Sequence, residues 1–163
     1  MIYPEVRTIL YATDMGDHMR PVFRFALGLA KKHEAKLIML HVAEPLSAGV
    51  QFSINVYMPE VNARDILRDG MKNALEKMQQ RLDEFCKDEL KENPADRGLV
   101  SEVKVVSGRP AEIITQQAEQ LGADLIVVGT HTDTSFGAHL IGSTARKVTQ
   151  LSKTPVLVIP VSE

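Results

Sequence analysis

The feature that most constrains this chain is an alternation. Short, nearly uncharged apolar runs take turns with longer stretches of helical character. "VRTILYA" (Val6 to Ala12), "KLIMLHV" (Lys36 to Val42), "VSEVKVVSG", "DLIVVG" and "TPVLVIPV" have the length and composition of strands. Runs that are apolar on both faces suit a parallel sheet buried between helices. Parallel neighbours cannot be joined by a tight turn, so each pair needs a crossover, usually a helix.

The intervening stretches supply those helices. "PVFRFALGLAKKH" opens on Pro21, which suits a first helical position, and closes on Lys31, Lys32 and His33, which suit the negative end of a helix dipole. Its spacing predicts Val22, Phe25, Ala26 and Leu29 on the inward face. A long amphipathic helix is predicted through Leu67, Met71, Ala74, Leu75, Met78, Leu82 and Phe85, stopped by Pro94 and Gly98. "RPAEIITQQAEQLG" carries Pro110 near its start, Ile113, Ile114, Ala118 and Leu121 inward, and Gly122 as its stop. Gly142 to Leu151 is the fourth helix. Ala43 to Asn62 has two prolines, one glycine and no helical period, and is predicted to be a long surface connection. The expected fold is α/β: a single doubly wound, Rossmann-like domain over residues 1–163, with a five-stranded parallel sheet and four main helices, in the order 3-2-1-4-5 if the chain winds outward from strand 1 in both directions.

Composition narrows the function. The 163 residues are 44% hydrophobic and carry 19 Lys+Arg against 21 Asp+Glu, a formal charge of -2. That balance argues against a general nucleic-acid or membrane-surface binder. The single cysteine, Cys86, excludes an internal disulfide and fits a reducing compartment, and on its helix it reads as a small apolar filler or a helix-surface thiol. The opening "MIYPEVRTILYATD" lacks a basic segment followed by a long apolar one, so no signal peptide is expected. No apolar run reaches the roughly 18 residues of a membrane span. A cytoplasmic protein is the expectation.

In an open parallel sheet, ligands sit beyond the carboxyl ends of the strands where the strand order reverses. Here that crevice falls between the loops "ATDMGDHMR" and "GTHTDTSFGAHLIGST". Asp14, directly after strand 1, could accept from a ribose hydroxyl, an amine or a bound cation's water shell, or bond the backbone two residues on as a turn cap. Val42 closes strand 2, where its backbone could pair with a base edge. Gly129 allows a sharp exit from strand 4. Gly142 allows close approach to a helix start, where Ser143 and Thr144 add hydroxyls to a natural anion site. The same Gly-Ser-Thr arrangement is also an ordinary helix N-cap. The histidines show no metal-ligand spacing, no nucleophile stands beside a base, and neither a P-loop nor a G-x-S-x-G elbow is present.

These segments together resemble the universal stress protein family, end to end. Ala12-Thr13-Asp14 matches the family's first strand end and Leu40-His41-Val42 its second. Gly129, Thr132, Gly142 and Ser143 fall on its glycine, two residues, glycine, nine residues, Gly-Ser/Thr spacing, and Pro155 to Ile159 supplies its ending. The resemblance implies an adenine nucleotide, ATP or a relative with Mg2+, held by Ala12, Thr13, Asp14, Val42, Gly129, Thr130, His131, Thr132, Gly142, Ser143 and Thr144. It also implies a homodimer. The last strand, Val156, Leu157, Val158 and Ile159, lies apolar at a sheet edge, which invites pairing with a second copy, although Pro160 removes one donor.

Two departures from the family's pattern keep a second reading open. Thr132 puts a Cβ where the family has glycine, and Asp133 sets a negative charge beside any phosphate; His131, His139 and Arg146 could offset it. On the alternative reading the chain is a dimeric interaction protein of the same fold that binds no nucleotide. A slow ATP hydrolase is the third reading, and it needs Asp14 or a histidine to activate water.

Overall fold

The structure, a computed structural model, describes residues 3–57, 63–130 and 141–161. Five strands, β1 (Thr8–Thr13), β2 (Lys36–Ala43), β3 (Val100–Ser107), β4 (Leu125–Gly129) and β5 (Val156–Ile159), form one parallel sheet in the order β3-β2-β1-β4-β5. The expected order is therefore the observed one. Alternation along β1 sends Ile9 and Tyr11 to one face and Leu10 and Ala12 to the other, all buried.

Each face has its own core. Helices α1 (Arg20–His33) and α3 (Ala63–Glu89) cover one, through Val22, Phe23, Ala26, Ala30, Leu82 and Cys86, with Leu90 just beyond α3. Helices α4 (Pro110–Gln120) and α5 (Ser143–Leu151) cover the other, through Ala111, Ile114, Ala118, Ala145 and Val148. The sheet is thus wound on both sides. Asp124 fastens its centre: one carboxylate oxygen accepts from the N–H groups of Arg7 (2.9 Å) and Thr8 (3.0 Å), tying the start of β1 to the start of β4.

Three details differ from the sequence reading. The segment Ala43 to Asn62 is not wholly irregular, because Ala48–Tyr57 forms a helix, α2. Its Val50, Phe52, Val56 and Tyr57 are exposed, so burial imposes no apolar stripe and leaves no period to read. On α1 the phase is shifted. Phe25 is 52% exposed, whereas Phe23 is fully buried and packs between Tyr11 (tilted) and Phe85 (edge-on) with ring centroids 5.8 and 5.4 Å away. Finally, α3 ends at Glu89, ahead of Pro94, and Pro94–Leu99 form a 3-10 turn.

Cys86 is buried on α3, where burial pushes its thiol pKa up, so it packs as an apolar side chain. Beside it, the Glu89 side chain is only 3% exposed and bonds Arg20 and Arg24 of α1. No helix among the described residues is long and apolar enough to cross a membrane.

Candidate functional site

The strands that meet at the centre of the sheet do not stay together. β1 and β4 pair from Ile9–Leu125 to Tyr11–Val127, while β1 follows β2 as far as Thr13–His41 and β4 follows β5 as far as Gly129–Ile159. The two central strands therefore diverge at their carboxyl ends. A cleft of about 300 Å³ lies there, at the small end of the range for ligand pockets.

Four chain segments bring the residues expected from the sequence to it. Ala12, Thr13 and Asp14 come from the end of β1, Val42 from β2, Gly129 and Thr130 from β4, and Gly142, Ser143 and Thr144 from the start of α5. The residues expected from the sequence thus share one wall system. His131, Thr132, Asp133 and His139 lie outside the described residues. Sequence reasoning missed Met19, Leu40, His41, Glu44, Pro110, Ile114, Val128 and Ala145, which also line the cleft. The inward phase of α4 could have pointed to Ile114, and the strand end to His41.

The β1 loop is fastened from several sides. Thr13 is buried; its hydroxyl accepts from Met15 N–H at 3.0 Å, and its carbonyl lies 2.8 Å from His41 Nδ1. Met15 takes a left-handed φ of 66°, which reverses the chain. Asp14 realises the turn-capping reading, since its Oδ1 accepts from Gly16 N–H at 2.8 Å, and it lines the cleft as well. Its Oδ2 lies 3.0 Å from His18 Nε2. The Tyr11 hydroxyl donates to the Met19 carbonyl at 3.2 Å, and burial pushes its pKa far up, so it remains a donor.

Across the cleft, Gly142 caps α5 with φ -58° and ψ 159°, values open to any residue. The first N–H groups of a helix have no intrahelical acceptor, and no acidic side chain occupies the first turn of α5. That end favours an anion. Gly129 has a structural reason of its own: a Cβ there would meet Met19 Sδ and Val161 Cγ2, each at 2.9 Å. Thr130 fixes the strand exit, its N–H donating to Ile159 O and its hydroxyl accepting from Val161 N–H, both at 2.9 Å. Chemically the cleft combines carboxylate acceptors (Asp14, Glu44), apolar walls (Leu40, Ile114, Val128) and a helix N-terminus.

Residues 5–160 match the Universal stress protein family. Universal stress protein YxiE of Bacillus subtilis is 31% identical over 152 residues, covering 93% of this chain and 97% of its own. The fold is similar to that of universal stress protein UspA from Lactobacillus plantarum, with TM-score 0.66, 22% identity, and 96% and 99% of the two chains covered. It is also similar to a universal stress protein in complex with cAMP, with TM-score 0.62, 22% identity, and 98% and 100% covered. This chain belongs to the universal stress protein family.

Proposed function

We propose that the chain is a cytoplasmic regulatory module whose cleft holds ATP or a related adenine nucleotide. One observation carries the reading: the divergence of β1 and β4 places a carboxylate acceptor, Asp14, and the N-terminus of α5 in the same cleft. A nucleotide needs both kinds of partner. Its sugar hydroxyls donate, and its phosphates accept from helix N–H groups. A protein of the same fold in complex with cAMP supports the adenine class.

Among the described residues no group of three or more His, Cys, Asp or Glu side chains gathers to hold a metal, so Mg2+ enters this reading with the phosphates. Occupancy acts on the loops around the cleft, and through them on protein partners. The half-buried strand Val156–Ile159 at the outer edge of the sheet forms the homodimer contact in this reading.

Calorimetric titration with ATP and Mg2+, after extraction and identification of any co-purified nucleotide, tests it. Micromolar binding or a carried-through adenine nucleotide supports the proposal. Absence of both overturns it. The second reading, a dimeric interaction protein without nucleotide, then takes its place; the exposed Val50, Phe52, Val56 and Tyr57 of α2 favour it.

A further inference from the structure

We propose that His18 is a positioning residue of the cleft, which sets the Asp14 carboxylate in the orientation that meets a ligand's hydroxyl groups. The inference rests on the nucleotide reading of the same cleft. Asp14 lines the cleft and His18 does not, so any effect of His18 on a ligand runs through Asp14. The carboxylate is 45% exposed, so packing alone does not fix its rotamer. Hydrogen bonds contribute that restraint on both oxygens: Gly16 N–H on Oδ1 at 2.8 Å and His18 Nε2 on Oδ2 at 3.0 Å. A carboxylate has about four acceptor positions, so it can serve these donors and a ligand hydroxyl together.

The geometry around His18 is built rather than incidental. The imidazole lies directly over Gly16, where a Cβ would overlap ring atom Cε1 and come within 2.5 Å of Nδ1. Only glycine leaves room for the ring. The 3-10 turn carrying His18, Asp17–Met19, is fixed at its far end, because Met19 N–H donates to Gly16 O at 2.9 Å and Met19 O accepts from buried Tyr11. The backbone of the ring is therefore tied to the core of the sheet. His18 and Asp14 stand four residues apart and are joined through a turn that glycine makes possible. Loss of the ring removes the restraint on Oδ2 while Gly16 N–H still holds Oδ1, and a ligand hydroxyl must then do more of the ordering on binding.

The test is calorimetry on the full chain with two probes, ATP and 2′,3′-dideoxy-ATP, each with Mg2+. The second probe lacks the hydroxyls that Asp14 would accept from. Expected is that His18→Ala weakens ATP about 3- to 10-fold, the scale of one hydrogen bond, and leaves dideoxy-ATP within about 2-fold. His18→Gln, whose amide can donate from a similar position, restores most of the ATP affinity. Thermal unfolding of each variant shows that it is folded. Equal weakening of both probes, or none of either, overturns the role of His18 while the nucleotide reading stands. So does failure of His18→Gln to bind ATP more tightly than His18→Ala. A wild-type chain that binds neither probe overturns both.

Discussion

Tyr11 and Val127 are the last residues at which β1 and β4 run paired, and the cleft occupies the gap that opens beyond them. Each strand continues along its other neighbour, so the gap is backed by intact ladders on both sides. A ligand there meets a rigid floor, and the selectivity of the site falls to the few polar groups at the strand ends.

Asp14 is the first of these groups. Asp14→Asn keeps an acceptor for Gly16 N–H but removes the negative charge. Expected is a loss of about 10-fold or more in ATP affinity, as for a hydrogen bond to a charged group, with stability changed by less than about 0.5 kcal/mol. Calorimetry and urea unfolding read the two separately.

Gly129 separates packing from binding. Gly129→Ala places a methyl against Met19 and Val161, and should cost about 1–3 kcal/mol in the ligand-free chain. Because the strain is shared, Gly129→Ala and Val161→Ala should be non-additive, the double variant losing less than the sum. Urea unfolding of the four forms measures the coupling. Full additivity would mean that Val161 does not set the requirement for glycine.

Glu89 links α3 to α1. Burial alone would raise its carboxyl pKa, yet the hydrogen bonds and charges of Arg24 and Arg20 outweigh burial and hold it below its ordinary 4.5. A group whose folded pKa is lowered stabilises the fold fully above the unfolded value and loses that contribution as pH falls through the folded one. Glu89→Gln should therefore cost about 1–3 kcal/mol at neutral pH, and the difference from wild type should shrink below about pH 4. Unfolding curves at neutral and acid pH check it. A cost that is unchanged in acid counts against the ion pairs.

Glu34 ends α1 in the left-handed region, with φ 52° and ψ 34°, and it is exposed. Helices commonly place glycine there because a Cβ is strained. Glu34→Gly should raise stability by about 0.5–1 kcal/mol, visible as a higher midpoint in thermal or urea unfolding.

The strands were legible as short apolar or alternating runs with no competing helical period, and their order followed from winding outward from strand 1. Asp14 and Ser143 were legible because strand and helix ends carry recognisable polar residues. Helix α2 was not, since an exposed helix is under no pressure to show an apolar stripe. Phe23 and Phe25 are two residues apart, and which one turns inward is decided by Tyr11 and Phe85, distant in sequence. The reason for Gly129 was hidden for the same cause, as Val161 reaches it only in the folded chain. The His18–Asp14 pair was hidden too, because it is joined through the turn at Met15 and Gly16 and not through regular helical spacing.

The clamp of Asp124 on Thr8 has a consequence in time. It joins residues 116 apart, so β1, the centre of the sheet and the earliest of its five strands in chain order, must wait for β4 before it gains its second neighbour. Contacts so distant in sequence form late and slowly. The cleft depends on that neighbour, which makes it one of the last features to appear as the molecule matures. A chain interrupted before Asp124 can pair β1 with β2, yet it has nothing with which to hold a ligand between β1 and β4.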